Sequence, residues 1–305
     1  MTPRQHHGAA LVIAMLLAAL AAAVTVALAT GQSRWRSTVE HRRDQVQAEA
    51  LAQAGVQWAR AALDDDARSS TIDTLAEPWA LPLPPTPVGN GSIEGRIVDA
   101  QGLLNLDNLS LDETASAGAR AQMTTLFTLV GVAPAMLDAI ADAVDTDDTA
   151  RDAGAEDAYY AHATPPQLTP NTPALRVAEF ATLRGMTPAA MAAIRPFVTA
   201  LPPPTTINVN TAPGEVLMAV LPGLDADGAT ALVAGRGRKP FTTIAEFRAR
   251  LPRGANVVDE RSLGVSSTWF LVTVDARQGE TRVHARALLR RALATPTSIA
   301  WQVIE

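Results

Sequence analysis

The sequence contains no cysteine, which excludes disulfide bonds, thiolate zinc sites and cysteine nucleophiles. Aromatic residues make up only 4% of the chain, so few side chains are available to form a sugar-binding platform. There is also no long basic block, and 31 acidic residues against 25 basic ones give a net charge of −6. A general electrostatic attraction to nucleic acid is therefore not expected.

Apolar residues are plentiful by contrast, and the longest uncharged run lies near the N-terminus. They form 48% of the 305 residues, which is enough for one large domain or two smaller ones. No charged residue occurs between Gly8 and Ser33. As a helix, Ala9 to Ala29 would extend roughly 30 Å, the thickness of the hydrocarbon core of a bilayer. The run is therefore long enough to span a membrane.

The same run has a second interpretation, as a secretory signal peptide. Arg4 would form its basic region, and the small residues Ala27 to Ala29 would form the cleavage site. Signal peptides usually have an apolar region of only about 7 to 15 residues, which is shorter than this run. Cleavage after Ala29 and retention of the whole run are both open on this pattern alone.

The apolar pattern continues past the run at helical spacing. The residues that carry it are Trp35, Val39, Val46, Ala50, Ala54 and Trp58. Charged residues lie largely between them, as on an amphipathic helix, so one helix from Ala9 to Leu63 is predicted. The charge rule for membrane topology does not by itself put the N-terminus in the cytoplasm. The basic residues follow the run, at Arg34, Arg36, Arg42 and Arg43.

Beyond this helix, a proline-rich tract over residues 77–91 must be extended or turning, because proline removes backbone donors. Alternating apolar residues then predict strands at Ile93–Asp99, Trp269–Ala276 and Thr281–Leu289. The segment between the first and second of these strands has an almost wholly helical pattern. The predicted fold class is α+β: a long N-terminal helix and a small antiparallel sheet, interrupted by a large inserted all-α domain.

Three glycines mark a weak repeat inside the inserted segment. Each of Gly131, Gly185 and Gly223 is followed directly by an apolar residue, and by another nine positions after the glycine. Glycine favours the end of one helix, and proline or aspartate favours the start of the next. The repeat therefore predicts helical hairpins of the helix-hairpin-helix or SAM-like kind.

A rival function follows from residues 207–241, which are similar to helix-hairpin-helix modules that bind DNA phosphates. On this alternative the chain is a membrane-anchored DNA-binding protein whose basic run contacts the backbone: Arg236, Arg238 and Lys239. Asp225 occupies the place of the second glycine of such modules, and Asp227 adds another negative charge. Phosphate would be repelled there, so no nucleic-acid partner is expected.

The densest group of carboxylates predicts a calcium site, because calcium prefers hard oxygen ligands. The candidate ligands are Asp145, Asp147, Asp148, Asp152, Glu156 and Asp157. Counted from Asp145, the third and twelfth positions match an EF-hand loop, but Ala150 replaces its glycine, so an irregular calcium loop is favoured. A solvated acidic loop without an ion, and a glycosidase pair of Asp145 and Glu156, are the alternatives. Motifs for other catalytic chemistry are not evident.

Several motifs in order carry a family resemblance. The leader ending in Gly8, with the apolar run directly after it, resembles a type IV pilin or pseudopilin. With "DAQGLLNLDNL", "GAEDAYY", "EFATLRGM" and "INVNTAPGEVL", the chain is similar over nearly its full length to the type II secretion system minor pseudopilin K family. Most pilins have Glu at the fifth mature position, which is Ile13 in this chain, and the K family lacks it.

The resemblance implies a non-enzymatic protein with several partners. A prepilin peptidase would cut after Gly8 and methylate Ala9. The mature chain would cross the bacterial inner membrane once, through residues 9–30, with its bulk in the periplasm. Together with minor pseudopilins I and J and other components of the secretion system, it would cap the pseudopilus tip. It would start pseudopilus assembly and so support export of folded proteins across the outer membrane. Bound calcium is a further implication.

The predicted organisation has five parts. They are a leader over residues 1–8, a transmembrane and pilin helix over 9–63, the first part of the α/β domain over 64–104, an inserted α-helical domain with the calcium loop over 105–255, and C-terminal strands over 256–305.

Overall fold

The structure is a computed structural model that describes residues 7–292 and 295–305. Most of the predicted leader therefore lies outside the described residues. The helices are α1 (His7–Ser69), α2 (Glu113–Leu129), α3 (Met136–Val144), α4 (Asp157–Tyr160), α5 (Pro188–Ile194), α6 (Gly214–Val220), α7 (Ala226–Arg238) and α8 (Ile244–Ala249). The strands are β1 (Leu83–Val88), β2 (Gly91–Asp99), β3 (Leu104–Asn105), β4 (Val198–Thr199), β5 (Ile207–Asn208), β6 (Leu263–Gly264), β7 (Trp269–Gln278), β8 (Thr281–Ala292) and β9 (Thr295–Ile304).

Helix α1 is continuous across the apolar run and the amphipathic segment after it, as predicted, but it ends at Ser69 rather than at Leu63. The extra turns were missed because the apolar spacing stops there. Asp66 occupies the next inward-facing position, where it is only 8% exposed and pairs with Arg291. A buried ion pair thus continues the packed face of the helix beyond its last buried leucine.

The main sheet has five antiparallel strands in the order β1-β2-β7-β8-β9. One face packs against α1 through small residues, including Ala48, Ala52 and Ala59, all of which are almost fully buried. A Cβ atom on Gly55 would come within 2.7 Å of both Ile93 and Val274. Glycine at this position therefore lets the helix lie close to the sheet.

Two strands of this sheet were not predicted. Strand β1 lies in the proline-rich tract, where three prolines remove ladder donors, and it is accordingly an edge strand. Strand β9 forms the other edge and pairs with β8 through an irregular register. The three predicted strands correspond to β2, β7 and β8, each of which extends further than its apolar alternation indicated.

The inserted region joins the sheet at the end opposite the membrane-length part of α1. The turn between β7 and β8 is close to α1 at Asp44, because a Cβ on Gly279 would contact that carboxylate. The insert instead leaves β2 after Asp99, which is paired with Phe270 at the start of β7. The insert therefore extends from the membrane-distal end of the sheet.

Within the insert, the three glycines of the repeat all have positive φ: 73° at Gly131, 79° at Gly185 and 80° at Gly223. They lie between α2 and α3, between a 3-10 helix over Val177–Thr182 and α5, and between α6 and α7. The prediction of an almost wholly helical insert is wrong for residues 145–187, which hold only α4 and that 3-10 helix. Prolines lack the backbone N–H that a helix needs, and clustered aspartates favour turns there.

The described residues form a small apolar cluster of Ala100, Leu201 and Leu288 and two large apolar cores. One large core is formed within residues 104–263, and the other lies between α1 and the main sheet. A buried polar junction joins them, centred on Asp99. Its Oδ2 atom accepts from Thr211 at 2.6 Å, from the Ser267 hydroxyl at 2.7 Å and from Asn208 at 2.9 Å. The Asp99 carboxylate, at the end of β2, thus connects that strand to β5, to the residues that follow β5, and to the residues that precede β7.

Candidate functional site

The acidic loop begins where α3 ends. Asp142 lies inside the buried stretch of this helix and is 0% exposed. The chain then turns back over it, so that a Cβ on Gly154 would collide with the Asp142 carboxylate. Arg151 closes the same turn: its Nη1 atom lies 2.6 Å from Asp142 and 2.5 Å from Asp145. The loop is therefore folded around carboxylates rather than extended into solvent.

Several oxygens of this loop and of the segment that follows it are buried without a hydrogen-bond partner among the described residues. They are Oδ1 of Asp145, both carboxylate oxygens of Glu156, Oγ1 of Thr169 and Oδ1 of Asn171. Burial raises the pKa of Glu156, and the charges of Asp142, Asp145 and Asp148 raise it further. Oxygen donors clustered in this way, with their charges poorly compensated, fit a hard cation such as calcium.

The six predicted ligands separate into two groups in the structure. Asp145 is half-buried and Glu156 is buried, while Asp148 is exposed but accepts a hydrogen bond from Asn171. Asp147 is exposed and accepts from the backbone of Thr149, and Asp152 is exposed as well. Asp157 begins α4 and accepts from the backbone of Thr169 at 2.7 Å. The carboxylates that were predicted together are therefore only partly brought together.

Other members of the cluster were missed by the prediction: Asp142, Thr169 and Asn171. Asp142 is a carboxylate among the buried apolar residues of α3, and that signal was available in the sequence. Asn171 lies beyond the loop and is linked to it by a 2.8 Å hydrogen bond to Asp148. A contact of this kind depends on how the following segment folds back, which local spacing does not reveal.

That segment, residues 161–176, covers the acidic loop and is fixed by backbone hydrogen bonds. Gln167 donates to the carbonyl of Tyr160, and Thr172 donates to that of Ala143. At its far end Ala174 donates to the buried carboxylate of Asp107 at 3.0 Å. Burial raises the pKa of Asp107 to about 7. Asp107 thus holds the end of the covering segment, and its burial favours the protonated form of its carboxyl group.

A second carboxylate cluster lies at the end of α1 and was not predicted. Asp66, Asp73 and Glu77 have oxygens within 4.8 Å of one another. Arg291 pairs with Asp66 and Asp73, and the backbone of Ser267 donates to Asp73. Burial raises the pKa of Asp73 to about 6. Arg291 of β8 supplies positive charge to two of the three acids, so we assign this group to the junction between α1 and β8.

Helix α1 supplies the other candidate feature. It is long and apolar enough to cross a membrane, and its apolar window has no buried residue. After that window, an exposed apolar stripe continues along the helix, with Trp35 69%, Val39 45%, Val46 65% and Trp58 44% exposed. Where α1 reaches the sheet, Val46 lies outside the side of the helix that is buried in the sheet core, whereas Trp58 lines a small cavity at the margin of that contact, together with Leu83 and Gly95. We call these four residues the outer stripe.

The third hairpin differs from the arrangement that phosphate binding would need. Asp225 caps α7 by accepting from Gly228 at 2.8 Å, so a carboxylate occupies the helix start. Arg236, predicted in a surface run, is buried and donates to the Val209 carbonyl at 2.8 Å. Lys239 pairs with Glu246. Two of the three predicted basic residues thus have structural partners, and the third, Arg238, is exposed.

An apolar N-terminal helix packed on an antiparallel sheet, with a helical insert, defines a pilin-like protein. The sequence models of the family described as type II secretion system protein K match residues 102–203 and 207–266. A type II secretion system protein K from Klebsiella pneumoniae is 31% identical over 94% of this chain and 93% of its own, and one from Pseudomonas aeruginosa is 28% identical over 94% and 90%. The chain belongs to the type II secretion system protein K family.

A solved structure agrees with this assignment. The crystal structure of the GspK-GspI-GspJ complex from the enterotoxigenic Escherichia coli type 2 secretion system contains a chain that matches with a TM-score of 0.76. The sequences are 25% identical, and the match covers 89% of this chain and 99% of that one. The similarity therefore includes the helical insert as well as the pilin-like part.

Burial of Asp107 predicts how the stability of the folded chain depends on pH. Its raised folded pKa means that the folded chain keeps a proton that the unfolded chain releases between about pH 4 and 7. Stability should therefore fall as pH rises through this window. Asp107→Asn keeps an acceptor for Ala174 and carries no charge, so it should be the more stable protein at pH 8, by on the order of 1 to 3 kcal/mol.

Chemical unfolding of both full-length proteins in detergent at pH 4, 6 and 8 measures this difference. Asp227→Asn, at an exposed position of α7, removes an equal charge and serves as the control. A difference between the wild type and Asp107→Asn that does not change with pH would contradict the raised pKa.

Proposed function

We propose that this chain is a minor pseudopilin that caps the tip of the type II secretion pseudopilus together with minor pseudopilins I and J. In this role it starts pseudopilus assembly and supports export of folded proteins across the outer membrane, without catalysing a reaction itself. The match to a chain of a GspK-GspI-GspJ complex supports the choice of partners. The position of the insert is the observation that supports a place for this chain at the tip of the pseudopilus.

The insert leaves the sheet at Asp99 and returns at Trp269, at the end farthest from the membrane-length part of α1. In a fibre whose subunits stack along their N-terminal helices, the next subunit would be added beyond this end. Residues 104–263 form a complete core of their own there and occupy that volume. A subunit of this shape fits at the end of a fibre and hinders addition above itself.

The outer stripe of α1 is the surface through which the chain would contact its partners. Its large apolar side chains are exposed: beside Val46 and Trp58 another side of the helix is packed on the sheet, and around Trp35 and Val39 the helix is exposed on all sides. Exposed apolar residues at helical spacing mark interaction sites. We infer that the stripe packs against the helices of minor pseudopilins I and J, and that the insert leaves this face accessible.

The membrane arrangement follows from the same helix. We infer that a prepilin peptidase removes the leader after Gly8 and methylates Ala9, and that residues 9–30 cross the inner membrane once with the bulk of the chain in the periplasm. The continuity of α1 from His7 to Ser69 supports retention of the apolar run. Cleavage after Ala29 would instead cut within this helix.

We further propose that the acidic loop binds calcium. Asp145, Asp148 and Glu156 would provide carboxylate oxygens, while Asp142 and Asn171 complete the oxygen-rich surroundings. The buried oxygens without partners support this choice of residues. When bound, the ion would supply positive charge that ties the end of α3 to α4 and to the covering segment. Its role would be structural, in shaping the insert.

A charge placed in the outer stripe should disrupt the complex. Val46→Asp puts a carboxylate at a 65% exposed apolar position, where it costs little in the free protein but would be desolvated in a helix contact. We expect the recovery of minor pseudopilins I and J with the affinity-tagged full chain to fall roughly tenfold. Quantitative mass spectrometry of the detergent-solubilised complex measures this.

The matched control is Val258→Asp, the same change at a 75% exposed position of the insert. It should leave recovery unchanged. Full recovery with Val46→Asp, or loss of the partners only with Val258→Asp, would show that the stripe is not the contact surface.

Calcium should stabilise the full chain in detergent, because an ion that binds only the folded state raises its unfolding free energy. At a hundredfold excess over the dissociation constant, chelation should lower Tm by about 5 °C or more. Glu156→Gln removes a ligand charge and should abolish most of this shift, whereas the exposed Asp152→Asn should keep it. An unchanged Tm with EDTA, together with no calcium by mass spectrometry, would refute the site.

A further inference from the structure

Arg151 makes an arrangement that the proposed calcium site does not by itself explain. Its guanidinium Nη1 donates to Oδ1 of Asp142 at 2.6 Å and to Oδ2 of Asp145 at 2.5 Å. Its backbone N–H donates to Oδ2 of Asp142 at 3.2 Å. The side chains of the two acids are only 0% and 12% exposed. One positive group thus bridges two carboxylates at the edge of the oxygen cluster.

Buried carboxylates need a cation nearby, since an uncompensated buried charge is strongly destabilising. Arg151 meets that need for Asp142 and for one oxygen of Asp145. The other oxygen of Asp145 and both oxygens of Glu156 have no partner among the described residues. The cluster is therefore compensated on one side only, and the guanidinium and a metal ion would draw on the same carboxylates.

The two cations cannot share these carboxylates fully. Calcium takes six to eight oxygens at about 2.3 to 2.6 Å, which leaves little room for a guanidinium bridging the same acids, and their positive charges repel each other. We infer that Arg151 is an internal cation that competes with calcium for Asp142 and Asp145 and thereby sets the calcium affinity of the loop. This inference rests on the proposed calcium site.

The guanidinium of Arg151 lies beside a cavity into which it could move when calcium binds. The Arg151 side chain is 37% exposed, so it reaches the carboxylates from the surface rather than from the core. It also lines a cavity of about 190 Å³, together with Glu113, Ser116 and Arg120. Arg120 is already paired with Asp138. Glu113, at the start of α2, is the acid of this cavity that can receive the displaced guanidinium.

Competition of this kind has two consequences. In calcium-free solution Arg151 would hold the acidic loop in its folded arrangement, so the insert would not depend wholly on the ion. Calcium would then have to displace an ion pair before it binds, so its affinity would be lower than the carboxylate count indicates. Removing the guanidinium should therefore strengthen calcium binding while weakening the calcium-free protein.

The test compares full-length proteins in detergent by calorimetric titration with calcium and by thermal unfolding in EDTA. Arg151→Gln should bind calcium roughly tenfold more tightly than the wild type and should have a lower Tm in EDTA. Arg151→Lys keeps the charge but has a shorter side chain without the planar guanidinium, so it should hold the two acids less well, and its affinity should lie between the two. Arg176→Gln removes the same charge from an exposed pair with Glu179 and should bind as the wild type does.

The outcomes separate the two proposals. Calcium binding by the wild type, with Arg151→Gln binding equally or more weakly, would overturn the competition and leave the calcium site intact. Absence of calcium binding in the wild type and in every variant would overturn both. If Arg151→Gln does not fold in EDTA, the comparison between Arg151→Lys and the wild type decides: equal or weaker binding by the lysine variant overturns the inference.

Discussion

The close packing of α1 on the main sheet is the interaction on which the rest of the molecule depends. Ala48, Ala52 and Ala59 bring the helix axis near the strands, and Gly55 leaves room for Ile93 and Val274 beneath it. Because the same helix contains the membrane-length apolar run, that run and the part packed on the sheet belong to one element. Larger side chains at these positions would separate the helix from the sheet and expose both apolar surfaces.

The insert depends in turn on a different kind of interaction. Its core and the sheet core are separate, and the buried carboxylate of Asp99 accepts three side-chain hydrogen bonds between them. Burial raises the pKa of this group, so a charged junction is costly. Directional bonds, however, fix how two cores are oriented, whereas apolar contact alone permits sliding. The proposed role as a cap that meets two partner subunits would need such a fixed orientation.

The features that could be predicted from the sequence are those with local physical signals. Helical spacing predicted α1, and glycine followed by proline or aspartate predicted the hairpins, whose positive φ angles only glycine adopts readily. Strand β9 has no comparable local pattern, and β1 was not predicted because three of its six residues are prolines. The acidic loop was located by its carboxylate density. Asn171 could not be assigned to it, because its position depends on how residues 161–176 fold back.

Buried charged residues were the other features that the sequence did not predict. Arg236 belongs to a basic run that reads as a surface, yet its guanidinium is buried against the Val209 carbonyl, and burial lowers its pKa to about 10. Asp142 and Asp66 similarly occupy positions at which the helical pattern predicts apolar residues. In each case a charged side chain replaces an apolar one at a junction, and only the partner across the junction explains it.

We propose that the apolar run is retained as part of α1 and is not discarded as a signal peptide. The most direct measurement is the intact mass and N-terminal sequence of the chain extracted from membranes of cells that contain the prepilin peptidase. The account predicts a chain that begins at Ala9 with a methylated amine. A chain that begins at Thr30 would contradict it, because the helix would then have lost the segment that anchors it.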